Sequence, residues 1–163
     1  MGDQHVEIER KFLLPGVPPG IDEHPSQRIE QGYLAVADDG VEVRIRRRGD
    51  ATTLTVKSGP AHVRVEEELA IDGRRFDALW PLTEGRRLAK VRHLVPIEPD
   101  LVLELDVYEE ALAGLVTGEI EFPSEAASRA FDAPAWLGAE VTGDKRFANQ
   151  ALAVAGAPPA AGS

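Results

Sequence analysis

Leu103-Glu104-Leu105-Asp106-Val107 alternates aliphatic and acidic side chains, and this period of two decides the fold. Successive side chains of an extended strand point to opposite faces, so Leu103, Leu105 and Val107 occupy one side and Glu104 and Asp106 the other. The separation recurs along the chain. Arg44 and Arg46 alternate with Val43 and Ile45; Thr53, Thr55 and Lys57 alternate with Leu54 and Val56; Arg64, Glu66 and Glu68 alternate with Val63 and Val65. Glu7, Glu9 and Lys11 oppose Val6 and Ile8, Lys90 and Arg92 flank Val91, and Glu119 and Glu121 flank Ile120. Turn signals at Asp39-Gly40, Ser58-Gly59-Pro60 and Asp72-Gly73 separate such segments. The expected fold is mainly β (α+β). Strands fall at roughly 4–13, 30–37, 41–48, 52–58, 62–71, 86–96, 101–108 and 115–122, about eight antiparallel strands, enough to close a barrel. Residues 73–80, 124–133 and 144–154 carry apolar residues at helical spacing, with Ser124 as an N-cap. Pro15, Pro18, Pro19 and Pro25 make the stretch between Leu13 and Gln27 an irregular connection.

The chain has 163 residues, 43% hydrophobic and 28% charged, which suits one globular domain over 1–154 and a disordered tail over 155–163, AGAPPAAGS. The absence of cysteine excludes thiol catalysis, iron–sulfur clusters and zinc ribbons. The N-terminus MGDQHVEIER is charged where a secretory signal is apolar, and a cytoplasmic protein is expected. A net charge of −10 argues against DNA and anionic membranes as partners unless a local basic patch overrides it.

The polar face would be unremarkable as the solvated side of a sheet, but its charges come in same-sign doublets: Glu7/Glu9, Arg44/Arg46, Glu66/Glu68, Lys90/Arg92, Glu104/Asp106 and Glu119/Glu121. Like charges about 7 Å apart repel by about 2 kcal/mol at an effective dielectric near 20. Acidic doublets call for a hard divalent cation and basic doublets for a polyanion. If the sheet closes with this face inward, the lumen is a charged tunnel of nearly balanced sign, and the three helical segments cover the aliphatic outside. The ligand expected is a metal-bound polyphosphate.

The ordered set of motifs resembles the CYTH family of triphosphate tunnel metalloenzymes. Its elements here are the ExExK of Glu7, Glu9 and Lys11, then Gln31-Gly32-Tyr33-Leu34, the RxR of Arg44 and Arg46, and Lys57. The RxExE of Arg64, Glu66 and Glu68 follows, then the KxR of Lys90 and Arg92, the ExD of Glu104 and Asp106, the ExE of Glu119 and Glu121, and Thr142-Gly143-Asp144-Lys145-Arg146-Phe147. The resemblance implies an eight-stranded tunnel that binds a triphosphate-containing small molecule with Mg²⁺ or Mn²⁺ and hydrolyses it. It implies that Lys11, Arg44, Arg46, Arg64, Lys57, Lys90 and Arg92 bind phosphate, with Lys145 reaching in from the C-terminal helix. Glu7, Glu9, Glu119 and Glu121 would hold the metal. Glu66, Glu68, Glu104 and Asp106 would orient the bases or complete the metal shell. Glu7, Glu9, Lys11 and Lys57 are the catalytic candidates.

His5, His24, His62 and His93 show no metal-ligand spacing. Arg47, Arg48, Arg86 and Arg87 read as surface charge, Tyr33 as packing, and Trp80 and Trp136 as cover for the outer face. The favoured activity is inorganic tripolyphosphatase. Thiamine triphosphatase, nucleoside or RNA triphosphatase and adenylate cyclase use the same grip on a triphosphate. A non-catalytic polyphosphate-binding module is the rival from another class, and an apolar-ligand carrier is disfavoured by the charged face. The sequence leaves the oligomeric state open, with a homodimer as the alternative to a monomer.

Overall fold

The alternating segments pair into one antiparallel sheet. The computed structural model describes residues 8–58 and 65–160. Its strands are β1 (Ile8–Leu13), β2 (Ser26–Val36), β3 (Glu42–Arg48), β4 (Ala51–Ser58), β5 (Val65–Ala70), β6 (Arg87–Glu98), β7 (Leu101–Tyr108), β8 (Val116–Phe122) and β9 (Ala139–Glu140). The helices are α1 (Gly73–Leu79), α2 (Glu125–Ala130) and α3 (Asn149–Ala155), and short 3-10 turns lie between elements. Among the described residues the sheet order is β5-β4-β3-β2-β6-β7-β8-β1-β9.

The expected closed ring of eight strands is therefore replaced, among the described residues, by an open sheet of nine. Part of the edge of β1 that a closing strand would need is taken by β9, through Phe12↔Glu140 and Leu13↔Ala139. At the other end β5 is exposed along its whole length. β2 begins at Ser26, immediately after Pro25, rather than near residue 30.

Register keeps the two faces distinct, because directly opposed residues of an antiparallel pair share a face. Lys11 opposes Glu119, Glu119 opposes Glu104, Arg92 opposes Asp106, and Lys57 opposes Glu66. The convex aliphatic face buries Phe12, Leu103, Leu105, Ile120 and Phe122 with Ile21 from the proline-rich connection and Leu137. α2 packs beside this cluster through Ala127, and Ser124 caps it by accepting from Ala127 N at 3.1 Å, as expected. α1 covers β3 and β4, with Phe76 buried and stacked on Trp80.

The third helical segment departs from expectation. It splits into a 3-10 turn, Lys145–Phe147, and α3, and packs on the concave side rather than outside. Phe147, Leu152 and Ala153 bury against Tyr33, Leu88 and Tyr108, with Leu13 alongside. These partners come from β2, β6, β7 and β1 on the same face as Lys90 and Lys11. A sheet whose distant strands touch one helix is strongly curved, and α3 packs over part of the resulting trough.

Gly32 sits where the cover meets the sheet. A Cβ there would lie 2.5 Å from Thr83 Oγ1 and 2.6 Å from Thr83 Cβ. Thr83 has no room to retreat: it is fully buried, donates to Trp80 O at 2.7 Å and accepts from Arg87 Nε at 2.9 Å. Gly32→Ala should destabilise the fold by about 1–3 kcal/mol through overpacking, read as a Tm several degrees lower with no change in the circular dichroism of the folded state.

Candidate active site on the concave ionic face

Asp106, from the middle of β7, is fully buried and holds two cations. Its Oδ2 accepts from Lys90 Nζ at 2.6 Å and Arg92 Nη2 at 2.8 Å, while Oδ1 accepts from Arg92 Nε at 2.8 Å. Burial alone would raise this carboxyl's pKa, but Lys90 and Arg92 outweigh it and hold the pKa down to about 2. Lys90 is pulled below the usual lysine range by burial, with Asp106 opposing. Arg92 stays charged because the Asp106 hydrogen bonds override its burial, and it also pairs with Glu104 at 2.5 Å. Asp106 is thus fully engaged in orienting bases.

A second group forms on β2, β3, β4 and β5. Lys57 pairs with Glu66 at 3.0 Å, Glu66 lies 3.7 Å from Arg44, and Glu68 accepts from Thr55 Oγ1 at 3.1 Å. Arg46 Nε donates to Gln31 Oε1 at 2.9 Å, and Gln31 Nε2 donates to Tyr33 Oη at 2.7 Å. Arg46 forms no ion pair among the described residues. Its guanidinium pKa is pushed down to about 10 by burial and by the nearby Arg44 and Arg92 charges, despite Glu68. Arg44 is buried, and its Nε has no hydrogen-bond partner. Arg44, Arg46 and Arg92 converge closely enough to repel one another, and the buried Arg44 Nε lacks an acceptor, so the patch suits an anion: an unsatisfied buried donor costs about 1–3 kcal/mol until a ligand supplies one.

Carboxylates gather on the neighbouring strands. Glu9, Glu104, Glu119 and Glu121 line a cleft of about 440 Å³, with Glu9 opposite Glu121 and Glu104 opposite Glu119 in register. Glu119 is paired with Lys11 at 2.9 Å. Burial would raise its pKa, but Lys11 and Lys90 hold it below the usual carboxylate range. The donor set is all carboxylate oxygen, the chemistry that suits Mg²⁺ or Mn²⁺. Among the described residues no three acidic or histidine side chains gather into a ready cage.

The C-terminal segment contributes acceptors that alternation could not reveal. Phe147 O accepts from Lys11 Nζ at 2.6 Å, and Asn149 Oδ1 accepts from Tyr108 Oη at 3.0 Å and Lys90 Nζ at 3.3 Å. Lys145 itself is exposed on the 3-10 turn, and Arg146 is held by Asp144 at 2.7 Å. Glu7 and Arg64 lie outside the described residues. His93 is buried, opposite Leu105 on the convex side. Arg47 covers the Phe76 ring at 4.2 Å, as outward parity implies. Arg86 and Arg87 are not mere solvated charge: Arg86 donates to Tyr33 O at 3.0 Å, and Arg87 lies 4.6 Å from the Trp80 ring.

Two curated proteins resemble the chain closely over most of their length. An inorganic triphosphatase of Nitrosomonas europaea is 44% identical over 149 residues, covering 91% of this chain and 97% of the relative. The chain belongs to the CYTH family of triphosphate tunnel enzymes. A second inorganic triphosphatase, from Acetivibrio thermocellus, is 35% identical over 153 residues, covering 90% of this chain and 92% of the relative. A crystal structure of an inorganic triphosphatase superposes with a TM-score of 0.76 at 42% identity, covering 94% of this chain and 97% of the other. No family model matches the sequence. Among the described residues, no helix is long and apolar enough to cross a membrane.

The CYTH floor has an acid signature. Asp106 is ionised in the folded protein down to about pH 2, whereas an unfolded aspartate titrates near about 3.9. Its depressed pKa therefore contributes stability that is fully present above about pH 4 and fades as pH falls toward about 2. The Tm difference between wild type and Asp106→Asn should be constant above that window and shrink through it, measured by calorimetry at stepped pH.

Proposed function

We infer that the protein is a divalent-metal-dependent hydrolase of inorganic triphosphate, releasing orthophosphate from tripolyphosphate. The observation that carries this reading is the cluster of Arg44, Arg46 and Arg92, mutually repelling and with the buried Arg44 Nε unpartnered, beside a carboxylate-lined cleft. A bare anion would satisfy the arginines alone. A metal-bound phosphate chain satisfies both sign patches at once. Membership of a family whose similar relatives are named inorganic triphosphatases supports the substrate class.

The concave face would act as the wall of a tunnel along which the phosphates lie. Arg44 and Arg46 would donate to phosphate oxygens as planar forks, Arg92, held by Asp106 and Glu104, would add its charge beside them, and Lys57 and Lys11 would add point charges from strands toward opposite ends of the sheet. Glu66 and Glu68 keep Lys57, Arg44 and Thr55 in place, as Asp106 does for Lys90 and Arg92. Phosphoryl transfer needs little covalent help from the protein, so the contribution of these residues is alignment and neutralisation of charge gathering on the leaving phosphate. Glu9 and Glu121, with Glu7 and Glu119, would hold Mg²⁺ or Mn²⁺, which supplies charge stabilisation and lowers the pKa of an attacking water.

Phosphate release should be measured from tripolyphosphate, thiamine triphosphate and ATP in parallel, each with Mg²⁺, Mn²⁺ or chelator. Tripolyphosphate should turn over fastest and chelator should abolish turnover; a faster organic triphosphate would reassign the substrate. Glu9→Gln and Glu121→Gln should each lower kcat by about 100-fold or more if their carboxylates hold the ion. Near-normal turnover in both variants would remove them from the metal site. Arg46→Met should raise the KM for tripolyphosphate by about tenfold while leaving Tm unchanged or higher, because the charge it removes is one the fold holds at a cost.

A further inference from the structure

If the site hydrolyses triphosphate, the wall around Asp106 is held by a chain of hydrogen bonds that does not end on the sheet. Arg92 donates to Asp106, Lys90 donates to the same carboxylate, and Lys90 and Tyr108 both donate to Asn149 Oδ1, at 3.3 and 3.0 Å. The Tyr108 ring lies 5.3 Å from the Lys90 ammonium. Lys90, Asp106 and Tyr108 are buried, so each is aimed by its protein partners rather than by water. The last link, Asn149, opens α3 in the segment packed on the concave face.

We propose that Asn149 is a positioning residue for triphosphate binding, its amide oxygen fixing Lys90, through Lys90 the Asp106 carboxylate, and through Asp106 the guanidinium of Arg92. Neutrality is the chemical point. Lys90 and Arg92 are already balanced by Asp106, which both share, and by Glu104, which pairs with Arg92 at 2.5 Å, so one more carboxylate would turn this wall negative toward an anionic substrate. An amide oxygen accepts from Lys90 and Tyr108 without adding charge. A carboxylate at the same position would accept equally well but would compete with Asp106 for Lys90 and repel the substrate. An apolar side chain would take an acceptor from the buried Tyr108 hydroxyl and leave Lys90 held by Asp106 alone.

The inference rests on the triphosphatase reading, and the two are separable by experiment. Asn149→Asp and Asn149→Leu would be made in the full chain and compared with wild type by Tm, by calorimetric binding of tripolyphosphate, and by steady-state kinetics. Asn149→Asp should keep a Tm close to wild type, since the acceptor is retained, yet raise both the Kd and the KM for tripolyphosphate by about tenfold, with a smaller change in kcat. Asn149→Leu should lose several degrees of Tm and, assayed well below that Tm, lose kcat/KM by a similar factor. Wild-type affinity and KM in Asn149→Asp would overturn the proposal, as would an Asn149→Leu variant that loses Tm alone. A wild-type protein that neither binds nor hydrolyses tripolyphosphate would overturn the triphosphatase reading itself. Normal wild-type turnover with silent Asn149 variants would overturn only the positioning role.

Discussion

One buried carboxylate shared by two cations organises the rest of the trough. Asp106 stands on β7, between β6 and β8, and its two oxygens fix Lys90 and Arg92 on the adjoining strand. Burying such a group is expensive, and ion pairs of this kind often gain little net stability over apolar residues of the same volume. What the arrangement supplies is direction. Long basic side chains that would otherwise sample many rotamers are held on one face, at known positions, before any ligand arrives, and their ordering entropy is lost on folding rather than on binding.

Charge and core compete for the same sheet, and the competition is settled by curvature. The convex side takes the aliphatic residues and packs them beneath the proline-rich connection, α2 and the turn at Leu137. The concave side keeps its charges in the middle and gives up only one end to apolar packing, where Tyr33, Leu88 and Tyr108 meet Phe147 and Leu152. Positive donors concentrate on β3 and β6 and carboxylates on β1, β7 and β8, so opposite signs face each other without wholly cancelling. A ligand carrying both anion and cation completes the set.

Much of this was legible in local sequence because a period of two assigns faces without reference to the rest of the chain. Glu104, Asp106, Glu119, Lys90 and Arg92 sit on the face their alternation assigns. Closure was not legible, since alternation is silent on which edges meet, and a two-residue strand such as β9 is too short to show any period. The apolar spacing of 144–154 announced a buried stripe but could not say which side of the sheet it would cover. Phe147 and Asn149 therefore entered the site unannounced, one through its main-chain oxygen and the other through a neutral amide. Arg86 and Arg87 looked like solvent-facing charge because the carbonyls and the indole they contact are distant in sequence or belong to a turn.

The open side of the sheet has a consequence for how copies of the protein meet. β5 ends the sheet and is exposed throughout, with Val65 and Leu69 turned to solvent, the sort of border that invites a second molecule to extend it. Yet its centre reads Glu66-Glu67-Glu68. Two such borders approaching side by side would set one run of carboxylates against another, and that repulsion, together with a net charge of −10, opposes self-association into extended fibres. Glu66, which steadies Lys57 and Arg44 within the trough, therefore also helps keep the chain dispersed at high concentration.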